Sequence, residues 1–264
     1  MSEAIKRPKR KNPILKTRAP TLPPDRRSRV ALGLLRAAAQ GKLELQRCAG
    51  CGSFQYPPRE ACVRCLSIEL EWTDISGNGE LISETTLRHS QELFFRERAP
   101  WRLGLVRLAQ GVSVVAHLDA RCGPAPCAVQ VEAALDRAGQ AVLIATPADR
   151  TTGLADEPKL RDMTSDPRFR KVLVTDAKSP VGQAVVRAAV EAGADTVWAG
   201  HCEPWKSPPG WPDIAGLPRT TRVPLDVTDT RSVNELAAEL GFKVDIIINT
   251  AEHHRTFGLF GRIS

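Results

Sequence analysis

Four of the seven cysteines in this chain fall as Cys48-x-x-Cys51 and, ten residues further on, Cys62-x-x-Cys65. Two-residue spacers let both sulfurs of a knuckle reach one ion, and four thiolates at about 2.3 Å complete a tetrahedral zinc with no position left for a substrate. Such a centre holds shape and does no chemistry of its own. Gly50 and Gly52 relieve the tight first turn, where backbone N–H groups must point at sulfur. The same side chains admit two other readings, a pair of disulfides, which a reducing compartment disfavours, and iron held by the same ligands. Cys122, Cys127 and Cys202 lack partners at metal-ligand spacing and read as ordinary buried or surface thiols.

A second stretch with chemical potential is Lys171-Val-Leu-Val-Thr175-Asp-Ala-Lys-Ser-Pro180-Val-Gly182. It sits where a strand turns into a helix, the place where backbone N–H groups and the helix dipole hold a pyrophosphate. It resembles the opening of a short-chain dehydrogenase/reductase, with Thr175 and Gly182 matching and Asp176 and Pro180 standing where that family has glycine. Asp226 resembles the adenine-side acid, and Asn249-Thr250-Ala251 the asparagine segment after the fourth strand. The resemblance therefore implies Thr175, Gly182, Asp226 and Asn249 as contacts to NAD(P). The departures speak against that cofactor, since a carboxylate would stand beside the phosphates and a proline ring would block close backbone approach. The second strand ends Ala199-Gly200-His201, without the acid that would hold a ribose hydroxyl. Reductases of this family need Tyr-x-x-x-Lys, in which the lysine lowers the phenol's pKa. The single tyrosine is Tyr56, in the cysteine-rich stretch, and the chain stops at Ser264 before the helix that would carry such a pair. An NAD(P)-dependent reductase, or a fragment of one, is thus an alternative rather than the main expectation.

The elements that would position these residues follow from the pattern. Ser28 can cap a helix through Val30, Leu34, Leu35 and Ala38 to Gln40, with Gly41 as its stop. Strand-like runs cover 69–75, 79–88, 101–108, 112–118, 129–135 and 142–146, broken by glycine-bearing turns, the spacing of a small barrel or sandwich. Residues 151–166 are polar and irregular and read as a linker. Beyond them strands at 171–175, 196–199, 222–225 and 244–249 alternate with helices at 181–192 and 230–240, which argues a parallel sheet in the order 3-2-1-4. Five prolines between 204 and 218 forbid the usual crossover helix after the second strand. Trp205 and Trp211 in that loop read as anchors, onto the sheet or onto a partner. The strand at 244–249 is an apolar sheet edge that residues 252–264 or another chain would cover, and His253-His254 read as an exposed pair.

Charge narrows the function classes. The formal net charge of +7 resides in the first 30 residues, which hold ten Lys/Arg and two Asp/Glu, leaving 27 basic against 28 acidic groups in the body. A neutral body with 5% aromatic residues lacks the basic groove and stacking platforms of a single-strand nucleic-acid binder, so that alternative is disfavoured. The loop from His89 to Trp101, with Phe94, Phe95, Arg96 and Arg98, reads either as a face toward a partner or an acyl-CoA phosphate, or as a solvated loop with a few buried rings. No apolar run reaches membrane-spanning length, and the basic start has no apolar stretch behind it as a secretory signal would, so the expected compartment is the cytoplasm.

The segments Leu45-Gln46-Arg47-Cys48, Cys51-Gly52, Tyr56-Pro57-Pro58-Arg59, Cys62-x-x-Cys65, Trp72 with Ser76-Gly77, and Pro100-Trp101 together resemble the zinc-ribbon plus OB-fold family associated with thiolases and other acyl-CoA enzymes. The resemblance spans about residues 28–148. It implies a helix and rubredoxin-like zinc ribbon (28–70) and an OB-fold barrel (71–150), which with the readings above make a multidomain chain: a basic proline-rich tail (1–27), those two domains, a linker (151–167) and a degenerate half-Rossmann α/β unit (168–264). It also implies an accessory subunit that docks on a thiolase-like enzyme in a hetero-oligomer, with structural zinc on Cys48, Cys51, Cys62 and Cys65. A coenzyme A thioester would be bound with the partner, which supplies the reactive cysteine.

Overall fold

A computed structural model describes residues 21–25, 28–149 and 153–251. The expectations for residues 1–20, for 252–264 as a cover of the sheet edge and for the His253-His254 pair lie outside the described residues. The chain divides into two compact units, Met1–Ser165 and Asp166–Ser264.

In the first unit the Ser28 hydroxyl accepts from the Val30 N–H at 3.4 Å, opening a 3-10 turn that leads into α1 (Leu32–Ala39). α1 presents Leu34, Ala37 and Ala38 to the core, and Gly33 lies against Trp72 so closely that a Cβ would collide with the indole. β1 (Glu44–Cys48) is the centre of an antiparallel sheet between β2 (Phe54–Gln55) and β3 (Leu70–Asp74). The chain continues through β4 (Asn78–Leu87), α2 (Leu93–Glu97), β5 (Trp101–Leu108), β6 (Ser113–Leu118), β7 (Cys127–Leu135) and β8 (Ala141–Pro147). These five strands close into a barrel in the order β4-β5-β6-β8-β7. The alternation of each strand turns Leu81, Val106, Val114, Val129, Val131 and Ala145 inward, and each of these is essentially sealed from solvent. Complete burial of a Val or Leu contributes about 1.5–3 kcal/mol, so this interior is the main stabilising term of the unit.

The stretch expected to be an irregular linker is structured instead. A 3-10 turn (Leu154–Asp156) leads into α3 (Pro158–Met163), capped by the Glu157 carboxylate, which accepts the Leu160 N–H at 2.6 Å. Leu160 and Met163 are fully buried beside Phe94, Trp101 and Ile144. A six-residue helix with two apolar anchors three apart is too short for periodicity to reveal it in a polar segment. The loop before β5 is likewise structured. Phe94 and Trp101 are buried, Phe95 stacks on His117 at 5.8 Å, and Arg98 lies 4.1 Å over the Phe94 ring while pairing with Asp162 at 2.7 Å. Its rings and Arg98 pack against the barrel and present no stacking platform, which favours the reading of a loop with buried aromatics.

In the second unit β9 (Lys171–Val174), α4 (Pro180–Glu191), β10 (Thr196–His201), α5 (Trp211–Ile214), β11 (Thr220–Pro224), α6 (Thr230–Leu240) and β12 (Ile246–Ile248) form a parallel sheet with order β11-β10-β9-β12, the expected 3-2-1-4. Val172 and Val174 face α4 and α5, whereas Leu173 faces the α6 side with Val223 and Leu236. The proline-rich connection allows one short turn of helix, α5. Trp211 inserts beneath it at 5% exposure and Trp205 stays 80% exposed, so only the former anchors the loop to the sheet.

Candidate functional site

The four expected ligands come together. The sulfurs of Cys48, Cys51, Cys62 and Cys65 all lie within 4.8 Å of one another, with Cys48–Cys65 at 3.5 Å and Cys51–Cys62 at 3.6 Å. A tetrahedron of 2.3 Å metal–sulfur bonds has edges of about 3.8 Å, so the cluster has the dimensions of a four-thiolate metal centre.

Two knuckles of equal backbone build it. In the first, the Gly52 N–H donates to the Cys48 carbonyl at 2.8 Å and the Cys48 N–H to the Ser53 carbonyl at 3.0 Å. In the second, the Leu66 N–H donates to Cys62 at 3.0 Å and the Cys62 N–H to Ser67 at 2.8 Å. The residue after each second cysteine is left-handed, Gly52 at φ 71° and Leu66 at φ 61°, and the side chain on Leu66 makes that conformation cost about 1–2 kcal/mol there. The Arg64 N–H points at the Cys62 sulfur at 3.4 Å, and the Ser53 hydroxyl lies 3.0 Å from Cys51. These donors favour thiolate. The Cys65 N–H first, then the Ser53 hydroxyl, pull the Cys62 thiol down to about 6, and the Ser53 hydroxyl lowers Cys51. Cys65 is pushed up to about 12: the Ser67 N–H lowers it, but the crowding sulfurs of Cys48 and Cys51 prevail. Full ionisation of the four needs a cation among them.

Two residues assigned no role in the sequence reading hold the second knuckle in place. Gln46 and Gln55 are buried, and the Gln55 amide donates to Gln46 Oε1 at 2.9 Å. Gln46 Oε1 also accepts the Arg59 N–H at 2.8 Å, and its amide donates to the Arg59 carbonyl at 3.0 Å. Gln55 Oε1 accepts the Val63 N–H at 3.1 Å, between the two cysteines of that knuckle. An inward-facing glutamine on β1, next to Leu45, is the signal that could have revealed them.

In the second unit Thr175, Gly182 and Asn249 converge at the carboxyl ends of β9 and β12. Thr175 Oγ1 donates to Asn249 Oδ1 at 2.7 Å, and a Cβ on Gly182 would strike the Asp176 carbonyl. Asp226, past β11, instead accepts the hydroxyl and N–H of Thr228 at 2.6 and 2.9 Å, and that hydroxyl above all lowers its pKa. His201, at the end of β10, lies 5.3 Å from the Trp211 ring, and its Nδ1 is buried without a hydrogen-bond partner.

Residues 36–71 match the family model described as ChsH2, rubredoxin-like zinc ribbon domain, and residues 72–138 the model described as ChsH2, C-terminal OB-fold domain. The chain is 30% identical over 95 residues to a probable enoyl-CoA hydratase alpha subunit of Thermomonospora curvata, covering 36% of this chain and 28% of that protein. It is 28% identical over 93 residues to a DUF35 domain-containing scaffold protein of Methanocaldococcus jannaschii, covering 34% of this chain and 65% of that one. The chain thus spans less than two thirds of either relative. A solved structure described as Ltp2-ChsH2(DUF35) aldolase aligns at 24% identity and a TM-score of 0.40, over 46% of this chain and 97% of that one. The zinc-ribbon and OB-fold family expected from the sequence is borne out for residues 36–138.

Proposed function

We propose that the chain is a non-catalytic accessory subunit that docks on a thiolase-fold enzyme and assists it in binding or transferring an acyl-CoA during carbon–carbon bond cleavage or formation. The observation that carries the reading is the match of the ribbon and barrel to the ChsH2 pair of domains. The relatives' names support an accessory role, one a probable enoyl-CoA hydratase alpha subunit and the other a DUF35 domain-containing scaffold protein. Cys48, Cys51, Cys62 and Cys65 would hold zinc, which there supplies only the positive charge that lets four thiolates share one centre. With four protein sulfurs the centre has no open position for substrate, in keeping with chemistry on the partner. The working assembly is a hetero-oligomer, and the compartment is cytoplasmic. No helix among the described residues is long and apolar enough to cross a membrane.

The test is Cys62→Ser in the full chain, co-expressed with a thiolase-fold partner. Loss of bound zinc together with loss of the partner on co-purification is expected, because metal binding and folding of such ribbons are linked. A zinc-free variant that still brings down its partner would refute the docking role of the ribbon.

A further inference from the structure

We infer that the second unit has closed the strand-end crevice of its sheet with a polar clasp of its own residues, and that no nicotinamide dinucleotide is held there. In open parallel sheets a ligand enters where the strand order reverses, here between β9 and β12. At that point the Thr250 N–H donates to Thr175 Oγ1 at 3.0 Å, while the Thr175 hydroxyl donates to Asn249 at 2.7 Å. The Asp176 N–H donates to Thr250 Oγ1 at 3.1 Å, and the Thr250 hydroxyl returns a bond to the Asp176 carbonyl at 2.8 Å. Both threonines are more than nine-tenths buried, and each hydroxyl donates once and accepts once. The two loops that flank the crevice are stitched together.

The helix beyond offers an anion little. Pro180 opens α4 and has no N–H. The Gly182 N–H is taken by the Ser179 hydroxyl at 3.0 Å and the Gln183 N–H by the Ser179 carbonyl at 2.9 Å, which leaves Val181 as the free donor of that turn. A pyrophosphate at a helix start depends on several such donors. Beside them the Asp176 carboxylate accepts the Lys178 N–H at 3.1 Å and would repel phosphate. The Lys178 ammonium, the nearby cation in this loop, is 8% exposed and turned to the carbonyls of Cys202 and Glu203 at 2.9 and 2.5 Å. On the adenosine side the Asp226 carboxylate is folded onto Thr228.

Two measurements on the full chain test this. Titration with NADH and with NADPH, followed by cofactor fluorescence and by calorimetry, is expected to show no saturation, and binding with a Kd below about 100 μM would overturn the inference. Amide exchange reads the clasp itself. Thr250→Val, which keeps the side chain's shape and removes both hydroxyl bonds, is expected to speed exchange at Asp176 about tenfold while Val172 to Val174 stay protected. Thr250→Ser, which keeps the hydroxyl, is expected to restore slow exchange. Unchanged exchange in Thr250→Val would show that the hydroxyl closes nothing.

Discussion

Gln46 shapes the four-cysteine cluster without touching it. Its carboxamide serves Gln55 and both backbone groups of Arg59, so replacing it with an isosteric apolar side chain removes three hydrogen bonds at once, one of them to the buried Gln55. Gln46→Leu is therefore expected to destabilise the ribbon by about 2–4 kcal/mol, seen as a lower urea midpoint and faster zinc release to a chelator. An unchanged midpoint would mean that the loop from Tyr56 to Cys62 is held elsewhere. His201 is the corresponding residue of the second unit. Burial first, then the charges of Lys178 and Arg222, lower its pKa below the ordinary 6.5, so the folded form favours neutral imidazole. The unfolded chain binds that proton more readily, so the stabilisation is whole above pH 6.5 and declines as pH falls through the folded value. The thermal midpoint of this unit is expected to drop between pH 7 and pH 5, and to drop less in His201→Gln. An equal drop in that variant would assign the effect to other groups.

Among the elements, α3 differs most from its appearance in sequence. Leu160 and Met163 complete a cluster with Phe94, Trp101 and Ile144, so α3 belongs to the barrel's packing. Leu160→Ala and Met163→Ala are each expected to cost about 2–5 kcal/mol in urea unfolding of the full chain. A cost below about 0.5 kcal/mol, the usual size for an exposed site, would restore the linker reading. The contrast with α4 is instructive. Twelve residues with a serine cap and a regular apolar stripe announce themselves, whereas six residues with two anchors do not. The proline-rich segment illustrates a third case, in which the sequence excludes a long crossover helix but leaves open which tryptophan packs. Burial of Trp211 depends on Val197 and Ala199 arriving beneath it from β10.

At the scale of the whole chain, what could be read in advance rests on local chemistry. Cysteine spacing announces the ribbon, alternating strands and glycine turns a barrel, and strand–helix alternation a parallel sheet. Closure of the barrel is not local, since β6 and β8 meet in parallel through just two registered pairs, His117↔Ile144 and Leu118↔Ala145, against eight along β4 and β5. No spacing within either strand encodes that meeting. A ring is as strong as its shortest seam, and thermal breathing will part this cylinder there, at the cost of the fewest ladder bonds. The parted seam would uncurl the wall and bare a strip of Val and Ala side chains between two free strand rims, leaving the cysteine knuckles and every longer ladder intact.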